Sequence, residues 1–559
     1  MLETETIDGL MERSTLHLKA GEHEIAARLC RLVLVQEPSL VSPLFQMAVA
    51  QSSADAPGVA LGSFQRVLCI VPGASAIHHN IGVCARRLDD HVIAESALRR
   101  AQTLDPTGLG ALDALAQTFS TMGRHGDALS ATRYLRVLLP NTAGTHATVG
   151  FVAWRSGRLE MAETALRRAM ILEPADYGPA MNMANVHVAR GDLGSAVVLY
   201  RRLARLKPCM LTVWGNLGLV LLEMGDPKAA ADAYCHFARL AHGRPLDQEG
   251  NDPFPHLPVN PITTFNRRTA WHRLAFEREQ LRFLRAVDEL PAEYEREVAA
   301  YDRILGKLSD AERTAISLEL SEPDHASISR MHDRLLYRAS TGWSNVMALN
   351  PELDWSGLQS DYLADDPRII VVDDFLRPDA LVALRRFCLR STMWFELKGA
   401  GYLGAYFREG FNDPLLIRVA EDLVHFLPGI LAGHPLRMMW AYTYEQSMQG
   451  INPHADFARV NVNFWITPDE ANLDPETGGL LIYRRPAPKD WTFDEYNAAP
   501  RARIMEHLGE EATRPIRIPH RQNRAVIFDS RLFHETDNLS FRQGFENRRL
   551  NVTMLFGRQ

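Results

Sequence analysis

Trp214-Gly215-Asn216-Leu217-Gly218 decides the fold of the first part of this chain, because the place it occupies returns every 34 residues. Its second glycine closes a series of small residues in that step: Ser14, Ala48, Gly82, Ala116, Gly150, Ala184 and Gly218. Alanines hold the same register at 26, 60, 94, 128, 162, 196 and 230, and prolines at 38, 72, 106, 140, 174 and 208. A fourth series, Gly21, Asp55, Asp89, Gly123, Gly157, Gly191 and Gly225, falls where a turn between two helices is needed. Small residues on both helices of a unit let them cross closely, and the proline stops the second helix before the next unit begins. Four series in one register exclude an arbitrary helical bundle. His242 stands where the seventh copy would carry proline, which marks an end or cap of the array.

The period and the Trp-x-x-Leu-Gly signature resemble the tetratricopeptide repeat. That resemblance implies seven helix pairs over residues 7–243. No unit buries its apolar face alone, so the pairs stack into an all-α solenoid with a concave groove. Grooves of this kind bind extended peptides or partner proteins, and a protein or peptide partner is the expectation here. Pure scaffolding and self-association are the other readings.

The whole chain has 559 residues, enough for two to four domains. Its apolar content of 46% and charged content of 23% are those of an ordinary soluble protein. A net charge of -7 argues against a general nucleic-acid binder. The first ten residues lack a basic-then-apolar signal pattern, and no apolar run reaches membrane length. Six scattered cysteines form no CxxC and no framework spacing, so reduced thiols in a cytoplasmic protein are expected.

Residues 244–365 read as a linker and helical bridge. Gly243–Pro261 is rich in Pro, Asp, Asn and Gly and predicts a loop. Thr269–Leu290 predicts an amphipathic helix with Leu274, Leu281, Leu284 and Val287 on one side, followed by helices over Glu293–Leu308 and Asp324–Arg338. From residue 366 the pattern turns to short apolar runs. A strand over Arg368–Phe375 precedes helices at Pro378–Leu389 and Pro414–Phe426. Further strands are predicted at Arg437–Tyr444, Ala458–Thr467, Gly479–Arg484, Arg514–Ile518, Arg524–Asp529 and Arg548–Phe556. Many short strands after two helices suggest a double-sheet jelly roll of the cupin kind over 366–559.

Within this framework His454-Ala455-Asp456 places an imidazole and a carboxylate on one side of an extended segment. His534 follows the run Arg524–Ser530 and lies just past a late strand. Two histidines and one carboxylate with open positions form the facial triad of non-heme Fe(II) oxygenases, although His-x-Asp alone is a weak signal. On the last strand Arg549, Asn551 and Thr553 share one face, while Leu550, Val552 and Met554 share the other. A guanidinium with an amide and a hydroxyl is suited to hold a dicarboxylate. Trp440 and Trp465 read as core, and His520-Arg521 as surface.

His454-x-Asp456, His534 and Arg549 resemble the 2-oxoglutarate/Fe(II)-dependent dioxygenases in their prolyl-4-hydroxylase-like branch. Tyr442-x-Tyr444, the run Val460–Asp469, the run Ala471–Leu480 and Phe528–His534 add to the likeness, which covers about 366–559. It implies that His454, Asp456 and His534 ligate Fe(II) and that Arg549 binds the distal carboxylate of the co-substrate 2-oxoglutarate. Tyr442 or Tyr444 is implied to donate to that co-substrate, and Thr553 or Asn551 to assist Arg549. O2 is the second co-substrate, and Asp456 favours hydroxylation because it fills the place that halogenating relatives leave for chloride. Arg549 lies farther beyond His534 than the basic residue does in many relatives, so Arg548 and Arg542 compete for the anchoring role. A slip of the strand by one residue would exchange Arg548 and Arg549.

The functional expectation is a hydroxylase of a protein or peptide side chain recruited by the repeats. A non-catalytic scaffold or a 2-oxoglutarate and O2 sensor is one alternative, and a hydroxylase of a small molecule or glycan another.

Overall fold

A computed structural model describes residues 6–53, 57–246, 255–258, 261, 267–344, 346–398, 401–445, 447–448 and 451–558. Asp55 of the turn series and most of the predicted loop after Gly243 lie outside the described residues. The chain divides into two compact units, Met1–Leu206 and Lys207–Gln559.

The first unit is a stack of six helix pairs of the tetratricopeptide kind. They are α1 (Ile7–Lys19) with α2 (His23–Gln36), α3 (Val41–Ser53) with α4 (Pro57–Ile70), α5 (Ser75–Arg87) with α6 (His91–Leu104), α7 (Leu109–Thr121) with α8 (His125–Leu138), α9 (Ala143–Arg155) with α10 (Leu159–Leu172), and α11 (Gly178–Ala189) with α12 (Leu193–Leu206). The small-residue series has a steric origin. A Cβ added at Gly82 would meet Leu98 Cγ at 2.5 Å, and one at Gly150 would meet Leu166 Cγ at 2.5 Å. The alanines at 26, 60, 94, 128, 162 and 196 are fully buried. The described members of the turn series close the first helices of their pairs. Gly123, Gly157 and Gly191 take positive φ, and the next residue's N–H reaches back to the helix in the 6→1 bond of a Schellman motif: Arg124 to Phe119 O at 2.8 Å, Arg158 to Ala153 O at 2.8 Å, Asp192 to His187 O at 2.9 Å. Asp89 occupies the same place at φ 58, in the left-handed region that Asp tolerates better than most residues.

The seventh helix pair, α13 (Leu211–Glu223) and α14 (Pro227–His242), groups with the second unit. A Cβ on Gly218 would meet Tyr234 Cε1 at 2.4 Å, so the same steric rule holds. Its partners explain the grouping. Tyr234 meets Phe407 edge-on at 5.6 Å, and Glu223 pairs with Arg437 at 3.6 Å and Arg558 at 2.5 Å.

The bridge belongs to the same body. Helix α15 (Trp271–Ala286) buries Leu274, Leu281 and Leu284 as its periodicity requires, and α16 (Glu295–Lys307) packs beside it. The predicted helix over Asp324–Arg338 stops early. The segment is helical only over α17 (Glu322–Ile328) and then turns, because Arg273, Glu277, His332 and Asp333 build a buried charged knot there. Helices α18 (Trp355–Ala364), α19 (Pro378–Arg390) and α20 (Pro414–Phe426) follow.

Two antiparallel sheets complete this unit. The strands in chain order are β1 (Ile369–Val372), β2 (Glu396–Lys398), β3 (Tyr402–Tyr406), β4 (Leu436–Tyr444), β5 (Val460–Trp465), β6 (Leu480–Pro486), β7 (Ile516–Ile518), β8 (Ala525–Asp529), β9 (Leu532–Thr536) and β10 (Leu550–Phe556). Seven form one sheet in the order β1-β8-β5-β10-β4-β3-β2, and three form the other in the order β7-β6-β9. Trp465, Val526 and Phe528 of the large sheet and Leu480, Ile482, Ile518 and Leu532 of the small one make a single apolar cluster, which places the two sheets face to face. The outer side of the large sheet is apolar as well; Phe464 meets Phe375 at 5.1 Å, which in turn meets Trp355 of α18.

Candidate metal centre

The alternation Val460-Asn461-Val462-Asn463-Phe464-Trp465 sends its valines and Phe464 outward and its asparagines and Trp465 towards the small sheet. Register then assembles one continuous inner face. Asn463 stands opposite Thr553, Trp465 opposite Asn551, and Asn551 opposite Tyr442. The face is polar where the sheets separate and apolar where they touch.

His454 and His534 sit directly opposite one another in an antiparallel bridge. Each N–H donates to the other's carbonyl, at 3.0 and 2.9 Å, and the ring centroids are 4.4 Å apart. His534 lies just past β8, as expected, and within the next strand, β9, where the bridge to His454 and the ladder to Ile482 hold it. Asp456 follows His454 with its N–H on Ser530 O at 3.0 Å, and its Oδ2 is 3.6 Å from His534 Nε2. Ligand atoms of His454, Asp456 and His534 all lie within 4.8 Å of one another, the only such group of three among the described residues.

The surroundings preset these side chains for a cation. Nδ1 of His454 lies 3.0 Å from Asn452 O, and Nδ1 of His534 lies 3.1 Å from Leu532 O. A carbonyl can only accept, so each Nδ1 carries the proton and each Nε2 presents its lone pair. Burial, together with the neighbouring His454, pushes the His534 imidazole down to about 4, which keeps it neutral at ordinary pH. Asn461 donates from Nδ2 to Asp456 Oδ2 at 2.6 Å and fixes the carboxylate. The backbone between the two ligands is pinned too: Ala455 N–H donates to Tyr496 O at 3.0 Å, and Asn497 Nδ2 donates to Ala455 O at 3.3 Å. Both partners come from α21 (Phe493–Ala498), which with α22 (Arg501–Leu508) is inserted between β6 and β7.

The two competing arginines have different surroundings. Arg548 turns towards the bridge, donating to Glu279 at 3.0 Å and Glu445 at 3.1 Å, with its guanidinium 5.3 Å above Phe276. Arg542 is exposed. Arg549 points inward and is 1% exposed. It donates to the carbonyls of Gly478 at 2.6 Å and Gly479 at 3.3 Å and to Asn551 Oδ1 at 3.2 Å, beneath the ring of Tyr444 at 4.6 Å. Among the described residues no carboxylate pairs with it. Burial pulls this guanidinium below its ordinary pKa, with Tyr444 and, from beyond ion-pair distance, the Asp537 carboxylate opposing the shift. A buried charge without a close ion pair is expensive, and an incoming carboxylate would relieve it.

The remaining predicted residues line the same face. Thr553 Oγ1 accepts from Asn463 at 2.9 Å and from Asn551 at 3.3 Å. Tyr444 is in reach of Thr536 and Arg549, and Thr536 lies two residues along β9 from His534. Tyr442 instead shares its hydroxyl with Tyr406 at 3.0 Å, so the two tyrosines part company. Among the described residues the buried atoms Asn461 Oδ1, Asn463 Oδ1 and Trp465 Nε1 have no hydrogen-bond partner, and all three belong to this face. Their unmet valence, the preset imidazoles and an Arg549 without a close ion pair fit a bound cation beside a polar, carboxylate-bearing molecule.

His520 is buried rather than at the surface, 5.9 Å from the Trp465 ring and 5.2 Å from that of Phe541. Burial and the charge of Arg549 hold its imidazole down to about 3. Asn461, Asn497 and Tyr496 also went unread as site residues. The alternation of asparagines with apolar residues was the available signal for Asn461; none marked the inserted helix.

No family model and no curated protein matches the chain. Among solved structures it is similar to MamA, at 20% identity over 30% of this chain and 93% of that chain with a TM-score of 0.27. It is also similar to a tetratricopeptide repeat protein from Parabacteroides merdae, at 13% identity over 44% of this chain and 94% of that one with a TM-score of 0.35. Yeast Tom70 follows at 15% identity, over 43% and 61% of the two chains, with a TM-score of 0.33. Likeness at this level concerns the fold of helical repeats and carries nothing about ligand or activity.

Proposed function

We propose that the two-sheet region is a double-stranded β-helix, or jelly-roll, dioxygenase using Fe(II), 2-oxoglutarate and O2. Its substrate in this reading is a protein or peptide side chain recruited by the helical repeats. The observation that carries the proposal is the meeting of a His454-Asp456-His534 facial set with a buried Arg549 that makes no close ion pair among the described residues, on one inner sheet face. Two imidazoles and one carboxylate leave open positions on an octahedral metal. Fe(II) with 2-oxoglutarate would supply the oxidising chemistry.

The chain's own residues have definable tasks. His454 and His534 present Nε2 because carbonyls hold their Nδ1 protons, and Asn461 aims the Asp456 carboxylate. Arg549 would hold the far carboxylate of the co-substrate, with Asn551 and Thr553 lining its approach and Tyr444 above it. Trp465, Val526, Phe528 and Leu532 exclude water from the inner face. Zinc would fit the same ligands but cannot activate O2.

A second reading, an interaction scaffold whose two-sheet region is inactive or senses 2-oxoglutarate and O2, draws its support from the extent of the helical repeats. The test is turnover in air with Fe(II), 2-oxoglutarate and ascorbate, measuring succinate. Succinate production that His454→Ala and Asp456→Ala abolish supports the enzyme. Metal and 2-oxoglutarate binding without succinate, with or without captured partners, leaves the sensor. Oxygen gained by a captured protein would identify the substrate class, whereas oxygen gained only by small molecules would contradict the peptide-substrate part.

A further inference from the structure

The second helices of the first unit carry a feature that the metal centre leaves unused. Successive first helices α5, α7, α9 and α11 pack on one another, while each second helix packs on the first helix of its own unit and of the next. The second helices therefore form the outer, convex side. On it two exposed rows run in the 34-residue register. One reads Arg31, Gln65, Arg99, Arg133, Arg167, Arg201; the other reads Leu32, Arg66, Arg100, Tyr134, Arg168, Arg202.

Nine of these twelve places are arginine. Arg99 and Arg167 are engaged by Glu95 and Glu163 four residues earlier. Arg66, Arg100, Arg133, Arg168, Arg201 and Arg202 have no ion-pair partner among the described residues. A cation late in a helix complements the helix dipole, but that explains one such residue per helix, not neighbouring rows in register. One turn further on, Val35, Val137 and Ile171 stand exposed in the same register, at 81%, 76% and 68%. Between α10, α11 and α12 a cavity of about 430 Å³ combines Arg167 with Met170, Met183, Val198 and Leu199.

We infer that this convex arginine ladder binds an extended, carboxylate-rich polypeptide segment bearing aliphatic side chains. Charge complementarity requires an anion, and the shape and lining of the face select among anions. Packed helices lie about 10 Å apart, so the four steps from Arg66 to Arg202 cover at least roughly 40 Å, the length of about a dozen extended residues. A flexible chain follows a convex surface along that length, whereas a flat bilayer touches only part of it. Single-stranded nucleic acid binds through aromatic platforms. Tyr134 is the only strongly exposed Phe, Tyr or Trp here, and the flanking apolar side chains are aliphatic. This surface is separate from the metal centre and stands whether or not the enzyme reading does.

The test uses the full chain and a fluorescent peptide of repeated Glu-Glu-Leu triplets, about 15 residues long, followed by anisotropy at two salt concentrations. The variant replaces Arg100, Arg133, Arg168 and Arg202 together by Gln, and a matched variant replaces them by Lys. All four side chains are exposed, so the helical melt should be unchanged in both. The expected result is binding that weakens with salt, drops about thirtyfold in the Gln variant and stays within a fewfold in the Lys variant. A peptide of half the length should bind less tightly. Equal affinity of the wild type and the Gln variant overturns the inference. So does a ladder-dependent affinity for poly-uridylate or phosphatidylglycerol vesicles that exceeds the affinity for the peptide.

Discussion

The helical repeats and the two-sheet region distribute their information in opposite ways. In Met1–Leu206 each structural task is repeated from unit to unit. A small residue at each crossing, a left-handed turn residue and a buried alanine recur, and each defect is local to one unit. In the two-sheet region each task is done once. One asparagine aims one carboxylate, one bridge joins the two histidines, and one arginine lies buried on this face without a close ion pair among the described residues. Redundant architecture tolerates substitution; a site built from single residues does not.

The largest expected effect breaks the unrepeated side. His454→Ala should abolish metal binding measured by calorimetry while leaving the helical melt in place. Next comes the charged knot of the bridge. Burial alone would raise the Glu277 carboxyl, but the charges of His332 and Arg273 overcome it and hold the group at about 2. A folded pKa below the unfolded value near 4.3 contributes stability above that pH, lost as pH falls from roughly 4.3 towards 2. Glu277→Gln should lower stability by about 3–5 kcal/mol at neutral pH and flatten the acid limb of the denaturation curve. A variant with an unchanged acid limb would show that the knot carries no such linkage.

Asn461→Ala should weaken metal affinity about 10- to 100-fold with little change in melting, the signature of a residue that orients a ligand. On the repetitive side, Gly150→Ala drives a methyl into Leu166 and should cost about 1–3 kcal/mol in unfolding by denaturant, with metal affinity unchanged. Smallest of all, Gly123→Ala at φ 74 meets no neighbour and should cost about 1 kcal/mol from backbone conformation alone. Should Gly150→Ala instead alter metal affinity, the separation of local defects from the site would fail.

The same contrast governs what could be read from the sequence. Periodicity reveals repeated tasks, so the helix pairs, their turns and the small-residue crossings are legible in the sequence. Alternation likewise gave strands β4, β5, β8 and β10 to within a few residues and put Arg549, Asn551 and Thr553 on one face. What single contacts decide was not legible. Arg548 and Arg549 differ by which neighbour carries a carboxylate, and Glu279 lies far away in the bridge. The short strand β9 that carries His534 was not separated from the end of β8. His520 looked like surface beside Arg521 until Trp465 and Phe541 enclosed it. Helix α17 ended early because a buried ion network claimed Asp333 and His332.

The most direct measurement is an anaerobic titration of the full chain with Fe(II) and 2-oxoglutarate, followed through the visible metal-to-ligand charge-transfer absorption. The account predicts a band in the wild type, none in His454→Ala, a much higher 2-oxoglutarate requirement in Arg549→Ala, and a far smaller change in Arg548→Ala. A folded protein that binds Fe(II) at His454 but gives no band with 2-oxoglutarate, or a band that Arg549→Ala leaves intact, would contradict it.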